Sequence, residues 1–518
     1  MTMQPERSVP LWGSETSQFD RPGLASNLDA EIVIVGAGIA GLSVAYQLAC
    51  QGHQVVVVDD GPIGGGNTGR TTAHLSNVLD DRFAMLRRER GSDVTRVAAE
   101  SHGSAIDWIE RIQREEQIDC SFKRLDGYLL LGDGDNQDIL DKELEASSEA
   151  GLTVEKTQAP KGLPAVAALR FENQARFHPL AYLSGLARAF ERRGGRIFSG
   201  CHIESVQDGD RVTIEATGGI RIMAGKAVVA TATPINDRLA LHTKLAPYRS
   251  YAIALAVGSN TIPDVLAWDT SDPYHYIRLA EHGGKTYAIV GGADHKTGQC
   301  DDEMTALESL ETWAITKLGL AAPAFRWSGQ VMETLDGLGY IGLNPGDRNV
   351  YVVAGDSGMG MTHGTIAGIL IPALMTGEDH PWRAAYDPSR KPIGTAATFV
   401  GENINVAKQV ISDFVAPSEI SSLAEIAAGE GAVLRRGLTK MAAYRDDRGK
   451  LHVRSAVCPH LGCVVKWNRL EKVWDCPCHG SQFDPTGRVL HGPAVHALPY
   501  ADDFEDEKNP NPDPENAA

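Results

Sequence analysis

The pattern of apolar and polar positions divides the chain into unlike stretches. Residues 1–28 are polar and read as an arm. From Ala30 the text becomes EIVIVGAGIAGLSVAYQLACQGHQVVVVDDG. Two short apolar runs, joined by a glycine turn and a helix-forming stretch, predict a βαβ unit. Val94, Val97, Ala98, Ser101, Ala105, Trp108, Ile109 and Ile112 recur at spacings of three and four. That period predicts a long amphipathic helix over residues 94–112. Strand candidates follow at 128–131, 211–214 and 227–230, and a strand-rich region spans residues 248–292. Prolines 381, 388 and 392 mark an irregular stretch, after which Ile404, Ala407, Ile411 and Phe414 share one face of a connector helix, 401–416. From 417 to 500 the pattern is short strands and turns, and 501–518 is an acidic tail. The expected divisions are therefore an arm, a large α/β unit over 29–400, the connector, a small all-β domain over 417–500 and the tail.

Composition changes this picture in two places. The formal charge of -18 over 518 residues gives no general attraction to phosphate backbones or anionic membranes, so neither nucleic acid nor a membrane surface is an expected partner. No stretch approaches the roughly 18 consecutive apolar residues of a membrane-spanning helix. The first residues lack the apolar core of an export signal, so the expected location is the cytoplasm, where structural disulfides are rare. Of eight cysteines, Cys50, Cys120, Cys201 and Cys300 are scattered, whereas Cys458, Cys463, Cys476 and Cys478 fall within 21 residues, with His460 and His479 among them. Such a cluster is first a metal-site candidate.

Two motifs carry chemistry. Gly36, Gly38 and Gly41 form G-x-G-x-x-G between a strand and a helix, and Asp59 ends the next strand. The glycines allow a tight turn, close approach to a pyrophosphate and close helix–strand packing; the acid suits ribose hydroxyls. Gly64, Gly66 and Gly69 repeat the spacing but lie between neither, and read as a loop beside the cofactor. No second nucleotide fingerprint occurs in context, which argues against a built-in NAD(P)H site. At the other end, Cys458-x-His460, fifteen residues, then Cys476-x-x-His479 supply two thiolates and two imidazoles, a donor set open to zinc or to an iron–sulfur centre.

The first motif resembles the start of the glycine/D-amino-acid oxidase (DAO) family. So do Phe177-His178-Pro179 with RGGRIFSGCHIESV, then AVVATA at 227–232, LDGLGYIG at 335–342 and VYVVAGDSGMGMTHG at 350–364. The resemblance covers residues 30–380. It implies FAD, with Val206 at the adenine end, Arg70, Thr71 and Thr72 passing near the flavin together with His74, a catalytic candidate, and Gly355, Asp356, Gly358, Gly360 and Thr362 in the closing turn. Asp59 stands where the family usually has glutamate. The family's substrate region implies Lys296 beside the flavin, with Arg249 and Tyr251 available to grip a carboxylate; Tyr248, Tyr274, His275, Tyr276, Arg278 and His295 share that region.

The second motif, with HLGC, CPCHGS and GPA-x3-LP around it, resembles the Rieske family over residues 415–500. That resemblance implies a [2Fe–2S] cluster, Cys458 and Cys476 on one iron, His460 and His479 on the other, and a disulfide between Cys463 and Cys478. Two buried free thiols are the alternative for that pair. Ser481 matches a donor to a bridging sulfide. Phe483 stands where high-potential members carry tyrosine, which implies a potential below the top of the roughly -150 to +300 mV Rieske range. A Rieske oxygenase would need a mononuclear iron, and no D/E-x2-H-x3–4-H run is present.

The expected fold is thus a Rossmann-like α/β FAD-binding domain with an interleaved α+β substrate domain, followed by a small all-β Rieske domain. The expected activity is oxidation of a C–N bond of an amine or amino acid, with electrons leaving singly through the cluster to a soluble partner or oxygen. A relay between redox proteins, or a redox sensor, is the alternative.

Overall fold

The structure, a computed structural model, describes residues 8–13, 19–236, 241–258, 261–300, 302–391, 419–437 and 439–501. The connector helix expected at 401–416 and the tail beyond Ala501 lie outside the described residues.

The βαβ unit forms as the pattern predicts. Strand Leu28–Val35, helix Ile39–Cys50 and strand Val55–Val58 follow in order, and the two strands pair in parallel. Alternation then assigns their side chains to two cores. Ile32, Ile34, Val55 and Val57 join one, whereas Val33, Val35, Val56 and Val58 join the other. Both faces of the sheet are covered, which is why these strands read as unbroken apolar runs. The sheet continues outward from Leu28–Val35 to Ile220–Ala232, Val350–Ala354 and Tyr340–Leu343, and from Val55–Val58 to Arg196–Phe198. Each of the two central crossovers therefore returns a distant segment to the C-terminal ends of the first strands.

A second, nine-stranded sheet holds the strand-rich region. Its core is the run Phe325–Thr334, Leu245–Ala256, Lys285–Lys296 and His275–His282, in that spatial order, all antiparallel. Helix Glu303–Leu318 covers one face, and Tyr251, Ile253 and Leu255 point into that core. Ala252 and Ala254 point to the opposite face, toward the first unit. The predicted amphipathic helix spans Ser92–Glu115, longer than its apolar period by a few residues at each end.

The C-terminal domain contains a three-stranded sheet, Glu430–Arg436, Thr439–Arg445 and Leu451–Ser455, and a four-stranded one, Lys466–Asn468, Val473–Asp475, Gln482–Phe483 and Val489–His491. Its small core gathers Trp467, Trp474, Phe483 and the four clustered cysteines. Among the described residues, no helix is long and apolar enough to cross a membrane.

Candidate functional site

The glycine turn is built by steric exclusion. Gly36 has φ +110°, and a Cβ there would lie 2.5 Å from the Ala230 carbonyl oxygen. A Cβ on Gly41 would lie 1.9 Å from the Gly36 carbonyl oxygen, so helix and strand can meet only without side chains. Helix Ile39–Cys50 begins at Gly38 with no side-chain cap and no acid in its first turn. Its positive end is left to face whatever occupies the turn, and it favours an anion. Asp59 accepts from the backbone N–H of Ala37 at 2.5 Å and of Gly61 at 2.8 Å, which fixes the carboxylate at the strand end. Burial, then Asp60 beside it, raises its pKa to about 7.

A cavity of about 1370 Å³ opens from this turn. Gly36, Gly38, Asp59, Arg70, Thr71, Thr72 and His74 line it from the first unit. Gly355, Asp356, Gly358 and Gly360 line it from the closing turn, and Arg249 from the second sheet. Its size, its glycine cradle and its uncapped helix end suit a dinucleotide with a flavin. Gly41 lies behind the lining, as its packing role requires.

Tyr248, His275, Arg278 and His295 lie off the lining, and so do Val206, Thr362, Tyr251 and Lys296. Val206 packs into the core of the first unit, and Cys201, His202, Ile203 and Glu204 line the cavity instead. Thr362 points at His102, whose Nδ1 is 2.8 Å from its hydroxyl, while Met361 and His363 face the cavity. A register shift between Arg249 and Tyr251 takes Tyr251 to the opposite core from Arg249, and its hydroxyl is 2.8 Å from His295 Nε2. Lys296, at the end of its strand, has its ammonium 5.9 Å from the Tyr248 ring.

Arg249 lines the cavity but is already engaged. Its Nη2 donates to both oxygens of Asp475, at 2.8 and 2.7 Å, and both side chains are only 3% exposed. Asp475 also accepts from Gln482 at 2.6 Å and Asn468 at 2.9 Å. Arg70 is drawn the same way: it donates to the Ser328 carbonyl at 2.5 Å and pairs with Glu471. Both arginines thus join the α/β body to the C-terminal domain.

The far side of the cavity brings the sequence candidates Tyr274, Tyr276 and His74 together with Trp268 and Asp80, which the sequence reading passed over. Tyr274 and Tyr276 stack at 5.5 Å and line the wall with Trp268. The Tyr274 hydroxyl donates to Asp80 at 2.9 Å. Burial, then the neighbouring Asp81, raises Asp80 to about 7, and burial raises Asp356 to about 6. His74 is held near 3 by burial and by Arg278, so its ring is neutral, with Nε2 3.3 Å from the Ile277 carbonyl. The paired acids at the end of RTTAHLSNVLDD were the visible sign of Asp80, but nothing local linked them to Tyr274.

In the C-terminal domain, Cys463 and Cys478 form a disulfide. Cys458 and Cys476 are free thiols, 2% and 1% exposed. The Cys476 sulfur lies within 4.8 Å of both disulfide sulfurs, so the bond ties the two loops beside the site. The His460 and His479 rings are 4.9 Å apart at 90°. His479 Nδ1 is buried without a hydrogen bond, as a nitrogen kept for a metal would be. Two buried thiols and two convergent imidazoles fit mixed Cys₂His₂ iron–sulfur ligation. Ser481 is fully buried, and its hydroxyl contacts the Cys458 sulfur.

The same two units are found in known proteins. Residues 31–374 match the FAD dependent oxidoreductase family, and residues 417–502 match the Rieske [2Fe-2S] domain. YhfW of Bacillus subtilis (strain 168), named as a Rieske 2Fe-2S iron–sulfur protein, is 30% identical over 501 residues, covering 96% of this chain and 98% of that protein. Gamma-glutamylputrescine oxidoreductase of Escherichia coli (strain K12) is 25% identical over 372 residues, 68% of this chain and 85% of that one. Glycine oxidase from Geobacillus kaustophilus shares the fold of the body, with a TM-score of 0.60 at 17% identity, covering 70% of this chain and 100% of that structure. With both matches lying where the two sites are built, the chain belongs to the FAD dependent oxidoreductase family and carries a Rieske [2Fe-2S] domain behind its flavin body.

Proposed function

We propose that this oxidoreductase breaks the C–H bond next to the nitrogen of an amine or amino acid and passes the electrons singly, by way of the Rieske domain, to a soluble acceptor or oxygen. One observation carries the reading: a single cavity has the dinucleotide turn, an aromatic substrate wall and the Rieske domain as its three sides. When bound, FAD supplies a two-electron hydride acceptor and the cluster a one-electron carrier. The chain's own residues do the rest. Gly36, Gly38 and the uncapped helix end hold the pyrophosphate, and Asp59 the ribose hydroxyls. Tyr274, Tyr276 and Trp268 keep water from the substrate. Asp80, poised near neutrality, takes the proton of the ammonium group so that the nitrogen lone pair can assist hydride departure. The product is an imine, which water hydrolyses to a carbonyl compound and ammonia, or an amine where the nitrogen carries a second carbon. The names of the gamma-glutamylputrescine and glycine relatives support a C–N donor.

Anaerobic addition of a panel of amines and amino acids to the purified holoprotein tests this through the visible absorbance of the flavin. Bleaching by one class of amine supports the proposal. Bleaching only by a reduced protein would replace it with the relay.

A further inference from the structure

The flavin body places one of its own histidines against the cluster ligands. His242 opens a single-turn helix, His242–Lys244, at the entry to strand Leu245–Ala256, and is 2% exposed. Its ring lies 4.7 Å from that of His460, inclined at 70°, and 6.1 Å from that of His479, inclined at 73°. Three imidazoles from two domains therefore form one edge-to-face group, and His479 is only 7% exposed.

The loop that carries Cys476 and His479 is also seated on the body. Gly480 has φ +79°, and a Cβ there would lie 2.7 Å from both Pro247 Cβ and Gln330 Nε2. Gln330 donates to the Gly480 carbonyl at 2.9 Å. Pro477 covers Gly298, where a Cβ would stand 3.1 Å from the proline ring. The Arg249–Asp475 pair holds the strand that leads into the loop. These contacts come from three neighbouring strands or their ends, so the loop has little freedom to turn its imidazole edge elsewhere while docked.

We propose that His242 is a positioning residue for the iron–sulfur centre: it packs on both imidazole ligands, fixes their orientation, and covers the His479 side of that edge, leaving the half-buried His460 as the side open to an outside acceptor. The flavin body is then the cluster's partner on its His479 side. The inference deepens the electron-transfer half of the proposed function and needs no particular substrate, so its test can fail while the amine chemistry stands, and the reverse.

The test uses the full-length holoprotein and two variants, His242→Ala, which opens the edge, and His242→Phe, which fills it without a ring nitrogen. FAD, iron and sulfide are measured first. Each protein is then reduced with dithionite. The cluster's EPR spectrum is recorded, and the rate at which excess oxidised c-type cytochrome takes electrons from it is followed. The expected result is altered EPR g-values in both variants, with at least about tenfold faster transfer to the cytochrome in His242→Ala and a rate near wild type in His242→Phe. Loss of the cluster from both variants with FAD retained would equally support the seating role. A cluster-loaded His242→Ala protein with the wild-type spectrum or the wild-type cytochrome rate overturns the proposal.

Discussion

The flavin body and the Rieske domain assemble their sites in opposite ways. The body collects its lining from segments as far apart as Gly36 and Gly360, and much of that lining is backbone: glycine turns, a helix end, strand termini. The ligands proposed for the Rieske domain come from two short loops, all between Cys458 and His479, and all are side chains. A backbone site tolerates sequence change wherever no Cβ is forced in. A side-chain site fails with the loss of any one ligand. The two sites should therefore respond to mutation independently, except where the domains touch.

The largest effect should come from removing a ligand. Cys476→Ser is expected to abolish cluster iron and sulfide while leaving FAD content and flavin absorbance unchanged. Loss of FAD as well would show that the two sites are not separable.

The next is at the contact. Arg249→Met leaves Asp475 buried without its guanidinium, which costs about 3–5 kcal/mol when one partner of a buried pair is removed. Urea unfolding followed at the cluster absorbance should show that loss, and a second change, Asp475→Asn, should restore part of it. A midpoint unmoved by Arg249→Met would mean that the domains are not held together by this pair.

Asp80 sharpens the comparison from the body's side. Because its carboxyl is raised to about 7, it is a competent base only above that pH, so flavin bleaching by an amine should speed up as pH rises through about 7. Asp80→Asn should slow bleaching about 10²-fold and remove that inflection, with the Rieske signals untouched. The same raised value has a stability consequence. An unfolded aspartate ionises near its ordinary 3.8, so the contribution of neutral Asp80 is complete below that pH and is lost as pH rises through about 7. Thermal unfolding between about pH 4 and 7 should be less steeply pH-dependent in Asp80→Asn.

The smallest effect is a tuning one. Phe483 is fully buried beside the cysteines, and Phe483→Tyr adds a hydroxyl donor near the cluster. Protein-film voltammetry should register a rise in potential with no change in the flavin's; a fall would contradict the hydrogen-bond account.

The legible parts of the chain were the local ones. G-x-G-x-x-G with Asp59 is a contiguous unit whose spacing states its geometry, and the cysteine–histidine loops and their disulfide partners sit within one small domain. Chemistry that depends on distant pairing could not be read. Asp80 matters through Tyr274, 194 residues away, and Arg249 meets Asp475 across 226 residues, so its charge is met by a carboxylate of the chain itself. The strand region carried the right residue types, but which of them face the cavity depends on alternation and on a register shift between Arg249 and Tyr251. That shift leaves Arg249 on the lining and Tyr251 in the opposite core. His242 had no signature at all, because its significance lies wholly in the domain that docks on it.

The central claim is that one chain couples C–N oxidation at the flavin to single-electron export through the Rieske domain. Anaerobic stopped-flow mixing of the holoprotein with a bleaching amine, recording flavin and cluster absorbance together, tests it most directly. The account predicts that the flavin band falls first and the cluster band follows within the same turnover, without any added protein. A flavin that bleaches while the cluster stays oxidised, or a flavin that no amine or amino acid bleaches, would contradict it.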